Sequence, residues 1–303
     1  MSFITDLVTT ATGHRIHVER HATSHSRETV ILVNGALATT ESFRQTVKSL
    51  SPNFDAICYD LPYYGKSATH NPEGGLVSCE DEVAILLELI ERYQARHLMS
   101  ISWGGVAALR ALAQRPASIR TGIIGSFSPQ LNPAMRDYIT TAQSHLLAGQ
   151  HEQAASLLNE TVGRFLPRLL RVYNQRYLAN MTPAQYEQTI FHIEQMRTLP
   201  VGEYLAEMRQ VDVPVLFVNG ERDDYTTFAD IQAMGAYIRD AHFKVVPEAG
   251  HFLDLESRRT SVHVGQLVTA FMRRGGSVVP TSLLASAAAA GSAGHHHDAA
   301  CEY

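Results

Sequence analysis

Two rhythms of apolar and polar positions alternate along most of the sequence. Thr29-Val30-Ile31-Leu32-Val33 is a continuous β-branched run, the pattern of a strand buried on both faces. Phe54–Asp60, His97–Ile101, Gly122–Phe127, Val213–Val218 and Phe243–Val246 read the same way. Residues 14–22 alternate instead and predict an exposed-edge strand. Between the strands the apolar positions fall at helical spacing. Val83, Leu86, Leu87 and Ile90 share one face, after Ser78-Cys79-Glu80-Asp81, which has the form of a capping box. A further helix starts near Thr39 or Thr40, either able to cap it, and one more follows His97–Ile101 until Pro116. Strands alternating with amphipathic helices predict a mostly parallel central sheet flanked by helices, with its functional loops at the carboxyl ends of the strands.

The rhythm breaks once. From about Leu131 to Pro200 strand signals vanish, and helical stretches take their place at Ala134–Leu147, Gln153–Leu166 and Pro183–Met196. The predicted partition is therefore an α/β core from 1–129 and 201–274, with a helical cap over 130–200 inserted after the sixth strand. Residues 275–303 are Gly-, Ala- and Ser-rich, contain His295-His296-His297, and have too little apolar pattern to pack. They read as a disordered tail.

Composition narrows this picture only a little. The protein has 303 residues, 45% of them hydrophobic and 18% charged, with a net charge of −5. That is enough for one large core, and the balance offers nothing to nucleic acid or an anionic membrane. The three cysteines, Cys58, Cys79 and Cys301, are too scattered for a disulfide framework or a zinc site. No basic n-region with an apolar h-region opens the sequence, and no apolar run approaches the roughly 18 residues that span a bilayer. The expectation is a cytoplasmic protein with at most a loose membrane association, needing no metal and no organic cofactor.

The candidate chemistry starts at Ser100-Ile101-Ser102-Trp103-Gly104-Gly105. An apolar strand runs into a Ser flanked by small residues two before and two after, and a helix leaves directly. This arrangement resembles the nucleophile elbow of the α/β-hydrolases, with Ser102 at the apex and Ser100 where Gly is usual. Such an elbow needs two converging N–H groups, then an acid and a His, each after its own strand. Trp103 supplies one N–H. Asn34-Gly35-Ala36 stands where α/β-hydrolases often carry His-Gly-x, which makes the Ala36 N–H the second. Gly220-Glu221-Arg222-Asp223-Asp224 follows the Val213–Val218 strand and offers Asp223 as the acid, with Asp224 and Glu221 as competitors. The sequence holds fifteen His residues; His251 is chosen because it alone follows the last strand on a loop before the final helix. A Ser102–His251–Asp223 triad would perform acyl transfer through an acyl-enzyme.

Longer stretches carry a narrower likeness. Val33–Thr40, Ser102–Gly105, Leu158–Gly163, Asp224–Thr227 and Gly250–Glu256 resemble the family that contains the rhamnolipid-pathway synthase of 3-(3-hydroxyalkanoyloxy)alkanoic acids. Its near relative is the 3-hydroxyacyl-carrier-protein thioesterase or transacylase of polyhydroxyalkanoate synthesis. The likeness runs from about residue 14 to 273. It implies (R)-3-hydroxyacyl thioesters on acyl carrier protein as donors, and for the synthase a downstream rhamnosyltransferase as a partner. Leu158–Gly163 and Phe252–Glu256 lean toward the synthase, Val215–Asp223 and Ser126–Pro129 toward the transacylase, and the balance favours the synthase. A non-catalytic binding protein on the same fold is the remaining alternative. In the cap, Phe165, Leu169 and Tyr173 either line an acyl tunnel or fill the cap core. Arg164, Arg168 and Arg171 fall at helical spacing and suit an acidic carrier protein.

Overall fold

A computed structural model describes residues 3–22, 27–71 and 75–277. The expectations for residues 278–303, His295–His297 and Cys301 among them, lie outside the described residues. Eight strands form one sheet: β1 (Ile4–Thr9), β2 (Arg15–His21), β3 (Thr29–Val33), β4 (Asp55–Tyr59), β5 (His97–Ile101), β6 (Thr121–Gly125), β7 (Val215–Gly220) and β8 (Ala241–Val246). The order is β1-β2-β4-β3-β5-β6-β7-β8. β1 and β2 pair antiparallel with their neighbours, and every pair from β4 onward across the sheet is parallel. The carboxyl ends of β3 to β8 therefore share one rim.

Strand alternation divides the core into two layers. Ile31, Val33 and Ile57 face one layer, packed with α2 (Cys79–Tyr93) and α3 (Gly104–Ala113). Val30, Leu32 and Cys58 face the other, packed with α1 (Arg44–Leu50) and the final helix α10 (Arg258–Arg273). Helices on both faces are what make β3 apolar at every position after Thr29. Ser78 and Asp81 cap α2 reciprocally, as their spacing predicts.

The helical insertion leaves the sheet after β6. It comprises α4 (Pro133–Leu147), α5 (His151–Glu160), α6 (Arg168–Ala179) and α7 (Pro183–Thr198). These helices have their own apolar cluster, with Ile139, Leu146, Ala155, Leu178, Tyr186 and Ile193 buried. α8 (Val201–Glu207) then leads back to β7, and the short α9 (Phe228–Gln232) precedes β8. Among the described residues no helix is long and apolar enough to cross a membrane.

Three local expectations are corrected. β2 is not an edge strand: β1, mixed in character with Ile4 and Leu7 exposed, covers it. Neither Thr39 nor Thr40 caps a helix with its side chain; a tight turn over Thr40–Phe43 precedes α1, and buried Asp60 accepts the Thr40 amide (2.7 Å). The helix predicted to reach Leu166 stops at Glu160, where Thr161 leaves the helical region (φ −109°, ψ −101°), and a new helix starts at Arg168 after Pro167.

Candidate active site

β5 delivers Ser102 to the rim in a left-handed conformation, φ +54°, which L-residues adopt at a cost. Two glycines permit it. A Cβ at Gly104 would lie 2.3 Å from the Asn34 carbonyl oxygen, and one at Gly105 2.6 Å from the Phe127 ring. Strand, helix and the loop after β3 thus crowd together at this one turn. Ser100, in the usual Gly position, is fully buried.

His251 reaches Ser102 from the loop after β8. The Ser102 hydroxyl donates to His251 Nε2 (3.0 Å), and His251 Nδ1–H donates to Asp223 Oδ2 (2.9 Å). Asp223 Oδ1 accepts the amides of Tyr225 (3.0 Å) and Thr226 (3.1 Å), and Oδ2 accepts the Thr226 hydroxyl. Burial by itself would raise the Asp223 pKa. The neighbouring imidazole and the Thr226 donors outweigh it and hold the carboxyl below its ordinary value. The competitors stand elsewhere: Asp224 pairs with Arg164 (2.7 Å), and Glu221 accepts the Glu248 amide (2.8 Å).

Two supports of His251 lie within the Ser126–Pro129 and Gly250–Glu256 stretches, but their spacing alone gave them no role. Ser126 Oγ donates to the His251 carbonyl (2.5 Å). Glu256 spans the histidine from below, accepting the Gly250 amide (2.6 Å) on one oxygen and the Phe252 amide (3.0 Å) on the other. The loop is thereby fixed on both sides of the ring. The Ala36 and Trp103 amides have no acceptor among the described residues, and both residues line the cavity at Ser102. A Cβ at Gly35 would meet the Ile101 carbonyl oxygen at 3.0 Å and Ser102 Cβ at 3.2 Å, so glycine lets the loop after β3 close on the Ser102 turn.

Two spaces meet at Ser102. One is an apolar cavity that runs under the cap, lined by Met135, Ile139, Leu146, Leu158, Ile193 and Met196 among others. The second is a more polar cleft with Ser126, Ser128 and Thr226 on its wall and Arg136 and Arg197 at its side. Phe165, Leu169 and Tyr173, read as either tunnel lining or cap core, do not line this cavity, and Tyr173 borders an adjoining groove that shares Phe252 and Leu255 with it. Leu169 is 83% and Tyr173 54% exposed on α6, and Phe165 packs beside Gly250 between Arg164 and Arg222. Arg164 does not share a helical face with Arg168 and Arg171 either: it precedes Pro167 and is held by Asp224, while the other two stand exposed on α6. No group of three His, Cys, Asp or Glu side chains among the described residues is placed to hold a metal.

A family model described as the α/β hydrolase family matches residues 30–262. The protein belongs to the α/β-hydrolase family. Among its relatives in that family is an (R)-3-hydroxydecanoyl-ACP:CoA transacylase of Pseudomonas aeruginosa (strain PAO1), 45% identical over 260 residues that make up 86% of this chain, and 87% of that one. A protein of the same name from Pseudomonas putida (strain KT2440) is 40% identical over 86% of this chain, and 88% of its own. Solved α/β folds align along nearly the whole length. An enol-lactonase from Burkholderia xenovorans LB400 has a TM-score of 0.72 at 15% identity, covering 88% of this protein and all of the other. An esterase from Exiguobacterium antarcticum has a TM-score of 0.72 at 19% identity, covering 89% and 100%. The names of the two sequence relatives describe transfer to coenzyme A. They favour the branch that the motifs held second, rather than the ester synthase that the motifs favoured.

Proposed function

We propose that this protein is a 3-hydroxyacyl-carrier-protein:coenzyme A transacylase that works through an acyl-enzyme on Ser102. The observation that carries the reading is the unbroken hydrogen-bonded line from Asp223 through His251 to Ser102, ending at an apolar cavity in a protein 45% identical to one named for that activity. In the first half-reaction His251 takes the Ser102 proton as the oxygen attacks the thioester carbonyl. The Ala36 and Trp103 amides hold the developing oxyanion, and one such donor is typically worth about 10²–10³ in rate. The C–S bond breaks, and the carrier thiol leaves with the proton from His251. In the second half the coenzyme A thiol gives its proton to His251 and takes the acyl group, which restores the Ser102 hydroxyl.

The two spaces divide the substrate between them. The apolar cavity takes the acyl tail, and its lining keeps water from the ester. The polar cleft takes the pantetheine arm, which carrier protein and coenzyme A share, so donor and acceptor use one route in turn.

Intact-protein mass spectrometry tests this. Incubation with (R)-3-hydroxydecanoyl carrier protein should add one acyl group, located on Ser102, and coenzyme A should discharge it as acyl coenzyme A. Ser102→Ala should lower turnover by several orders of magnitude. A hydroxy-ester dimer in place of acyl coenzyme A would assign the protein to the ester synthase, and free acid to a thioesterase. A folded wild type that takes no acyl group would remove the enzymatic reading.

A further inference from the structure

Two buried polar atoms without a partner belong to side chains of residues lining the cavity, Asn34 Oδ1 and His192 Nδ1. The other cavity walls are almost wholly apolar. His192, on the cap helix α7, is 2% exposed. Its ring packs 5.6 Å from the indole of Trp103 and 6.3 Å from the Tyr64 ring, centre to centre. Its Nε2 stands 2.8 Å from Oε1 of Glu82, a buried carboxylate of α2 that also accepts the Trp103 indole N–H (3.4 Å). Gln188, fixed by two hydrogen bonds to the Val77 backbone, turns its amide nitrogen to the same Nε2 (2.9 Å). Nε2 is thus engaged by Glu82 and Gln188, and only Nδ1 is left without a partner. A buried polar atom left unpaired costs free energy that a bound ligand can recover.

We propose that His192 Nδ1 hydrogen-bonds the C3 hydroxyl of the substrate and so selects 3-hydroxyacyl over plain acyl substrates. This rests on the transacylase reading and adds the residue that recognises the hydroxyl. A thioester whose carbonyl oxygen lies on the Trp103 amide has its C3 two carbons further along the acyl tail. His192 packs against the indole of that same Trp103. Glu82 is a positioning residue here, holding the ring from the core side. A site built to bind a substrate hydroxyl discriminates strongly against the analogue that lacks it, because its own polar group is then left unpaired.

The test compares kcat/KM for (R)-3-hydroxydecanoyl and decanoyl carrier protein in the wild type, His192→Phe, Glu82→Gln and Asn34→Ala. The wild type should prefer the hydroxylated substrate at least about tenfold. His192→Phe keeps an aromatic ring against Trp103, and should bring the ratio toward one. Glu82→Gln should lower it part of the way. Equal use of the two substrates by the wild type overturns the proposal without any variant. So does a ratio preserved in folded His192→Phe, or one lost only in Asn34→Ala. Should His192→Phe not fold, the wild-type ratio and Glu82→Gln decide. Acylation of Ser102 by both substrates at equal rates would sink this proposal alone; acylation by neither would sink the transacylase reading beneath it.

Discussion

Asp223 and Asp254 are both buried carboxyls near the rim, and their surroundings push them in opposite directions. Asp223 is held low because a facing imidazole and three donors overcome its burial. Asp254 has only the Thr46 hydroxyl (2.6 Å) and its own amide, and burial pushes it up from 3.8 to about 6. The signs for stability differ accordingly. Asp223 adds stability above its unfolded pKa, and that stability is lost as pH falls through its lowered value. Asp254 keeps its proton in the folded state where the unfolded state has released it. Stability therefore falls as pH rises from about 4 to about 6, and the loss persists at neutral pH. Asp254→Asn should raise the melting temperature at pH 7 by the equivalent of up to about 3 kcal/mol and should give little gain at pH 4. Melting curves across that range check it. Glu256 grips the backbone on both sides of His251 and also faces its imidazole electrostatically. Glu256→Ala should lower kcat by roughly 10- to 100-fold with a smaller change in KM, as expected for a displaced base. Glu256→Gln, which keeps one acceptor, should retain more; steady-state kinetics on the three proteins separate these outcomes.

α6 exposes side chains that the sequence reading placed inside, on a tunnel or in the cap core. Leu169 and Tyr173 are exposed, as is Val172, alongside Arg168 and Arg171. The reason is the packing of its partner: α6 lies against α5 through its other side, with Leu178 buried and Asn159 donating to the Arg171 carbonyl (3.0 Å). An exposed face that mixes large apolar side chains with arginine suits an acidic partner that also offers apolar contact. Reversing charge at Arg168 and Arg171 to Glu should raise KM for carrier-bound donor about tenfold or more and leave coenzyme A thioesters little changed. Equal effects on the two donors would mean that α6 does not meet the carrier protein. α7 shows the converse. Its spacing marked it as a helix, but not that His192 would turn inward onto Glu82, because that contact joins residues 110 positions apart in separate layers.

For the molecule as a whole, the strand and helix rhythm was legible because each element in the sheet is covered on known faces. β3 coincides with its predicted range, and Ser102, Asp223 and His251 meet because each follows a parallel strand whose carboxyl end shares the rim. The cap interior was not legible. Its helices bury apolar residues against one another and against the cavity, and periodicity alone cannot tell which apolar face looks at which. Phe165, Leu169 and Tyr173 were left between tunnel lining and cap core for that reason, whereas Ile139, Leu158 and Ile193 line the cavity. β1 was missed because only Val8 of its six residues is buried.

β6 and β7 are hydrogen-bonded parallel neighbours, and α8 already supplies a helix for the crossover between them. The helices that hold the cavity are therefore surplus to the topology of the sheet. Descent can lengthen, shorten or replace that excursion without disturbing the loops that carry Ser102, Asp223 and His251. On the transacylase reading, the choice of acyl group and the means of breaking its thioester are inherited on separate stretches of the gene, free to change at different rates.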